Sequence, residues 1–302
     1  MNIVIAGGSG FVGTALLERL LREGHAVTLL TRNAARAAAR FPGIHAEEWD
    51  ARSVGRWRER LSGADAVINL TGELLAGKRW TSRQKERILK SRTESTRAVV
   101  EAIHTAATKP RLLINASGVG YYGDVPSGDV PESFPAGSGF LADVCTTWEE
   151  EANRAAASGV RVVTLRLGVV LAANGGALGK MLLPFRLFVG GPIGSGAQWF
   201  PWIHREDVVE AMLFLLRTPG VSGPVNLVGP EQVNMRDFCR KIGAAMGRPS
   251  WAPVPGPILR VVLGEMAGMI LTGQRAVPKK LAQAGFVFRY PTVDAALEQI
   301  LR

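Results

Sequence analysis

The sequence predicts an α/β fold, a doubly wound parallel sheet with a smaller C-terminal substrate lobe. Three observations carry this reading. Short β-branched apolar runs alternate with amphipathic stretches, glycines cluster at the first junction between the two, and the rhythm breaks into Gly and Pro punctuation late in the chain.

Asn2 to Ala6 is a short apolar strand that ends in glycines, after which Phe11, Ala15, Leu16, Leu20 and Leu21 recur at helical spacing. Gly24 stops that helix and Ala26 to Leu30 supplies a second strand, so the chain opens with a right-handed βαβ unit. Ala66 to Leu70, Leu112 to Ala116, Val160 to Leu167 and Val225 to Val228 read as further strands, separated by helical stretches around 83–107, 141–158 and 206–217. Such alternation implies a parallel sheet covered by helices on both faces. From 171 to 204 and after 230 the pattern changes, with amphipathic stretches at Met235 to Met246 and Leu259 to Leu271. The expected division is therefore 1–170 with 205–229 as the nucleotide-binding domain, and 171–204 with 230–302 as the smaller lobe.

Composition excludes several classes. With 47% hydrophobic and 21% charged residues and a mean hydropathy of +0.11, the chain buries enough apolar surface to offset its conformational entropy. No apolar window reaches the roughly 18 residues that a bilayer span needs. The richest, Ile258 to Leu271, is broken by Arg260 and Glu265, so no membrane partner is expected. No basic region precedes Met1-Asn2-Ile3-Val4-Ile5, and Cys145 and Cys239 stand far apart without metal-ligand neighbours. A cytoplasmic protein with neither disulfide nor metal is the expectation. The net charge of +10 is spread along the chain, with one denser segment: Lys78, Arg79, Arg83, Lys85, Arg87, Lys90 and Arg92. Trp80 is the lone aromatic there, so nucleic acid is not expected and a small, anionic substrate is.

Gly7-Gly8-Ser9-Gly10-Phe11-Val12-Gly13 lies between the first strand and the first helix. Gly7 and Gly10 let a pyrophosphate approach the helix N-terminus, and Gly13 lets helix and strand pack closely. That context marks a Rossmann-type dinucleotide site. The second strand ends Thr31-Arg32-Asn33, with Arg36 one turn on and no carboxylate, so NADP is expected over NAD. Asp50 is placed either to bond the adenine amino group or to cap a helix.

The residues Gly7-x-x-Gly10-x-x-Gly13, Asn69-Leu70-Thr71-Gly72 and Trp202-Ile203-His204-x-x-Asp207 resemble an extended short-chain dehydrogenase/reductase of the nucleotide-sugar epimerase type. Gly72-Glu73, Lys78-Arg79-Trp80-Thr81, Ser91-Arg92, Gly118 to Gly123 and Gly273-Gln274-Arg275 resemble one atypical branch, epimerase-family proteins with an added C-terminal domain of unknown function. The resemblance implies a Rossmann fold that binds NADP, with Leu70, Thr71, Gly72, Arg92, Cys145, Leu167 and Gly168 also beside the cofactor. The branch has no settled substrate, and some members carry the label of cell-division inhibitors.

Ordinary members use a tyrosine, a lysine four residues later and an upstream serine or threonine at the substrate oxygen. Ser117 matches the serine, but Leu141 and Cys145 stand where the tyrosine and lysine should fall, with Glu149 following, and Arg92 stands where an asparagine is usual. Tyr121, Tyr122 and Glu73 are the remaining acid or base candidates. Cys145 has no neighbouring His to activate it, and His204 with Asp207, which suggests an acid/base pair, reads rather as an ordinary helix entry. Two readings follow: an NADP-dependent oxidoreductase or epimerase-like enzyme, or a catalytically inactive NADP-binding regulator of redox state or division. A monomer or a homodimer is compatible with either.

Overall fold

The computed structural model describes residues 1–173 and 175–302. In chain order the elements are β1 (Asn2–Ala6), α1 (Phe11–Arg22), β2 (Ala26–Thr31), α2 (Ala34–Arg40), β3 (His45–Glu48), β4 (Ala66–Asn69), α3 (Ser82–Thr105), β5 (Leu112–Gly118), β6 (Val125–Val130), α4 (Phe140–Asn153), β7 (Arg161–Leu167) and β8 (Val169–Leu171). Then follow α5 (Gly176–Arg186), β9 (Trp202–His204), α6 (Arg205–Arg217), β10 (Gly223–Leu227), α7 (Met235–Met246), α8 (Gly256–Leu263), α9 (Gly268–Leu271), β11 (Gln274–Ala276), α10 (Lys279–Gln283) and α11 (Val293–Leu301).

Seven strands form one sheet in the order β10-β7-β5-β4-β1-β2-β3, every pairing parallel. Its strands are apolar on both faces because helices cover both. Leu16, Leu17 and Leu20 of α1 pack with Val208, Met212 and Leu215 of α6 on one side. Val99, Val100 and Ile103 of α3 pack with Trp57 and Leu61 on the other. The strand order reverses between β1 and β4, so their carboxyl ends open the crevice where ligands of such sheets bind. A third core joins Leu178, Leu182 and Phe185 of α5, Phe238 and Ile242 of α7, and Leu297 and Ile300 of α11.

The C-terminal part departs from the expected pattern in two places. The amphipathic stretch from Leu259 to Leu271 is not one helix, because Gly264, at φ +62°, breaks it into α8, a single 3-10 turn and α9. The β6 and β11 strands carry no periodic signal, since β6 reads Val-Pro-Ser-Gly-Asp-Val, yet they pair in parallel and fasten the C-terminal segment beside β5. Among the described residues no helix is long and apolar enough to cross a membrane.

The entry to α6 is set by His204 and Asp207. The imidazole Nδ1 accepts from the Glu206 N–H at 3.2 Å, so Nε2 carries the proton and donates to Gln299 Oε1 at 3.0 Å. Asp207 is fully buried and accepts from the N–H groups of Arg289 and Tyr290, at 2.7 and 3.1 Å. His204 and Asp207 therefore hold the C-terminal chain to α6. Burial keeps the His204 pKa below its ordinary value, so the unfolded chain takes up this proton first as the pH falls. The stability contributed is complete above about pH 6.5 and is lost as pH drops through the lower folded value. We expect His204→Asn, which keeps a cap acceptor but cannot titrate, to flatten the fall in Tm between roughly pH 7 and roughly pH 5. Thermal melts across that range check it.

Candidate cofactor and active site

The loop after β1 is built where only glycine fits. Gly7 has φ +77°, and a Cβ there would lie 2.7 Å from the Leu70 carbonyl carbon at the end of β4. A Cβ on Gly13 would lie 2.5 Å from the Gly7 carbonyl oxygen, so α1 is pressed against the loop. The Gly10 N–H closes the turn on that same oxygen at 3.1 Å. No side chain caps α1 and no acid sits in its first turn, so Phe11 and Val12 open a helix whose positive end is unneutralised. Gly8 is packed below the loop, while Ser9 is exposed at its rim. Facing it, the buried hydroxyl of Thr71 has no hydrogen-bond partner among the described residues. A cradle without side chains, an uncapped helix end and an orphaned hydroxyl fit the phosphates and ribose of a dinucleotide.

At the end of β2, Thr31 gives its carbonyl to the Trp49 N–H at 2.8 Å, and Asn33 caps α2 by accepting from the Arg36 N–H at 2.9 Å. Arg32 and Arg36 are exposed and neither enters an ion pair among the described residues. Asp50 is less available than the sequence reading supposes. Its two oxygens take the Arg52 and Ser53 N–H groups at 2.8 and 2.9 Å and the Ser53 hydroxyl at 2.7 Å, which holds its pKa below the usual value. It closes a turn and caps no helix.

Deeper in the crevice lies a polar network. Ser117, at the end of β5, is buried and donates its hydroxyl to Glu149 Oε1 at 2.7 Å. Arg166 of β7 grips both oxygens of Glu149, Nε and Nη2 each at 2.9 Å. Its Nη1 donates to the Tyr122 hydroxyl at 2.9 Å, and that hydroxyl donates to Asn226 Oδ1 at 2.6 Å. Burial, working against Arg166 and Asn226, pushes the Tyr122 phenol up to about 12. Tyr121 differs: it is only half-buried, the Arg166 guanidinium carbon lies 3.4 Å above its ring, and its hydroxyl has no partner among the described residues. The structure thus separates two adjacent tyrosines that the sequence leaves equivalent.

Leu141 packs on Gly120, where a Cβ would meet its own at 3.0 Å. Cys145 is buried near Gly118, and its thiol is pushed up to about 11 by burial and by Glu149, so it is an inert neutral group at neutral pH. Arg92 is 8% exposed, donates to the carbonyls of Ile88 and Glu73, each at 3.0 Å, and has no carboxylate partner among the described residues. Its guanidinium lies against Gly72 and 5.1 Å from the Trp148 ring. Burial lowers its pKa. The Glu73 backbone N–H is held by Ser91 Oγ at 2.9 Å, but its carboxylate is in no ion pair among the described residues. Gly168 follows Leu167 where a Cβ would strike the Pro201 carbonyl oxygen at 2.6 Å, so β8 and β9 can pair only past a glycine.

Sequence reasoning passed over Arg166, Glu132, Asn226 and the position of Gln274. Glu132 takes the backbone N–H groups of Asn226 and Lys280, and Gln274, also buried, donates to the Val119 carbonyl. The available signal was the charge of Arg166 between Leu165 and Leu167 near the end of a mostly apolar strand, since a buried charge needs a partner.

The family profile described as NAD dependent epimerase/dehydratase family matches residues 3–229, and a domain of unknown function, DUF1731, matches residues 254–300. The chain is 39% identical to the chloroplastic SDR39U1 homologue of Arabidopsis thaliana over all of itself and 87% of that protein. It is 39% identical to the epimerase family protein YfhF of Bacillus subtilis, over 100% of this chain and 98% of that one. The crystal structure of human SDR39U1 isoform 2 with NADPH superposes with a TM-score of 0.88 at 36% identity, covering 99% of each chain. A UDP-glucose 4-epimerase from Thermotoga maritima, at 16% identity and a TM-score of 0.80, shares the fold.

Tyr122→Phe leaves a buried Asn226 oxygen and an Arg166 N–H short of a partner. We expect it to lower stability by about 1–3 kcal/mol in urea titration while leaving nucleotide affinity unchanged.

Proposed function

The chain belongs to the NAD dependent epimerase/dehydratase family, and from that premise we propose that it binds NADPH in preference to NADH and acts as an oxidoreductase or epimerase-like enzyme on a small, anionic, hydroxyl-bearing substrate. The observation that carries the reading is the glycine cradle at the uncapped end of α1, flanked by two arginines without ion-pair partners. The solved human relative named with NADPH supports the choice of dinucleotide.

Gly7 to Gly13 would receive the pyrophosphate, and Arg32 and Arg36 the 2′-phosphate, with Thr31 beside them. Leu70, Thr71, Gly72, Arg92, Leu167 and Gly168 line the rest of the crevice toward Cys145. When bound, the nicotinamide gives or takes a hydride. Ser117 has given its own proton to a hydrogen bond with Glu149, so toward a substrate it accepts, and a hydroxyl donor is what it orients. Tyr121, whose phenol is unengaged, moves the proton at the substrate oxygen; Tyr122, fixed at both ends, does not. Glu73 is the second proton acceptor, at the mouth.

The replacement of the usual tyrosine and lysine by Leu141 and Cys145 favours a second reading, an NADP-binding regulator without turnover. Titration of nucleotide-free protein with NADPH and NADH, read by fluorescence, tests the first half of the proposal. We expect tighter binding of NADPH, and a loss of at least tenfold of that preference in Arg32→Ala combined with Arg36→Ala, each arginine contributing a charge-assisted contact to phosphate. No binding of either nucleotide would sink the assignment. Reduction of bound NADP by nucleotide sugars and other hydroxyl-bearing compounds, lost in Tyr121→Phe and Ser117→Ala, would decide for the enzyme. Tight binding without turnover across that panel would favour the regulator.

A further inference from the structure

The face made by the end of α5 and the loop after α7 is apolar, basic and uncovered. Leu183, Leu187, Phe188, Val189 and Trp251 are exposed, Leu187 at 63%, Phe188 at 53% and Trp251 at 66%. They form one patch. The Trp251 indole N–H donates to the Phe188 carbonyl at 3.0 Å, and the Trp251 backbone N–H donates to the Gly190 carbonyl at 2.9 Å.

Phe188 is also strained. Its φ is +62°, in the left-handed region where glycine ordinarily closes a helix, and there the Phe188 and Val189 N–H groups bond back to the carbonyls of Phe185 and Pro184, each at 3.0 Å. Among the described residues the ring's one stacking partner is the Arg248 guanidinium, and the ring is otherwise left in water. A surface that receives the ring accounts for it.

The charge on the two segments that carry the patch has one sign. No Asp or Glu occurs from Ala152 to Arg205 or from Phe238 to Gly264. Arg186 precedes Leu187 and Arg248 stacks on the Phe188 ring at 4.3 Å, and neither is in an ion pair among the described residues. The next element, α8, repeats the combination, with Ile258, Val261 and Val262 exposed beside Arg260 and no residue buried. A second copy of this chain, meeting the first through the same face about a two-fold axis, would set Arg186 and Arg248 against an equally basic surface. An anionic lipid surface would instead take the guanidiniums at its phosphates. It would also admit Leu187, Phe188 and Trp251 to the boundary between headgroups and acyl chains, where indole rings are favoured.

We propose that this face docks the protein on an anionic bilayer surface, the Phe188 and Trp251 rings entering the interface and Arg186 and Arg248 pairing with lipid phosphates. Docking of this kind needs no spanning segment, so the lack of one in the sequence does not bear on it.

Co-sedimentation of the full chain with phosphatidylcholine vesicles, with and without phosphatidylglycerol, tests the proposal. The wild type is expected to sediment with the anionic vesicles only and to be released as salt is raised. Phe188→Gly, Trp251→Ser and the pair Arg186→Glu with Arg248→Glu should each weaken partition by about tenfold or more, with NADPH affinity unchanged. Phe188→Gly relieves the left-handed strain and should raise Tm, so its loss of partition is not a folding defect. The proposal is overturned by no sedimentation, by equal sedimentation with neutral vesicles, or by partition that Phe188→Gly and Trp251→Ser leave unchanged. A dimer at sedimentation equilibrium that Phe188→Gly dissociates, without vesicle binding, would overturn it in favour of a second copy.

Discussion

The buried pair between Arg166 and Glu149 is the constraint on which the site depends. Taking both charges out of water costs several kcal/mol per ion, and the cost is met only where every donor finds an acceptor. Here the guanidinium spends two N–H groups on Glu149 and a third, Nη1, on the Tyr122 hydroxyl and the Glu132 carbonyl. Burial works against the Arg166 charge, but Glu149 and Tyr122 overcome it and raise its pKa above the ordinary value. Losing either partner would leave the other charge buried alone, at about 3–5 kcal/mol. The pair therefore fixes β7, α4, the end of β5 and the tyrosine turn as one unit. The C-terminal segment is tied to the same unit, because Asn226, which holds Tyr122, also donates to the carbonyls of Val130 and Val277 at 3.1 and 2.9 Å.

This arrangement changes what the missing lysine means. With Cys145 neutral and Leu141 apolar, no cation stands at the usual place, but two guanidiniums, Arg92 and Arg166, are buried within the same wall. Arg166 is consumed by Glu149, whereas among the described residues Arg92 meets only the neutral carbonyls of Ile88 and Glu73. The polarity of Ser117 follows from the same pair: a hydroxyl whose proton is committed to a carboxylate can only accept from a ligand.

Legibility in the sequence tracks how local the physics is. The cradle from Gly7 to Gly13 is readable because its requirements, a left-handed angle and a close helix, are met within seven residues. The sheet is readable for a related reason: strands apolar on both faces announce themselves. The pairing of β6 with β11 is not, since neither Val125–Val130 nor Gln274–Ala276 is periodic and each strand's partner lies far along the chain. Asp50 shows the same limit, because a carboxylate after a third strand suits a ligand, a helix cap or a local turn, and only Ser53 and Arg52 in place decide for the turn. Tyr121 and Tyr122 share one sequence context, and it is the sheet beneath them that commits one hydroxyl and frees the other.

The basic segment is sorted by the C-terminal region. Arg79 donates to the Val261 carbonyl at 2.7 Å, and Lys85 pairs with Glu265 at 2.6 Å, so α8 and the turn after it rest on the start of α3. Lys90 is satisfied within its own helix by Glu86. Among the described residues Lys78, Arg79, Arg83 and Arg87 remain exposed without ion pairs. Unneutralised charges at the edge of a crevice raise the local concentration of anions more than the same charges dispersed over a surface, because the low-dielectric walls focus their field. Of the segment's cations the C-terminal region neutralises Lys85 alone among the described residues, and through Arg79 and Lys85 it is fastened to the start of α3 at the sheet's carboxyl edge.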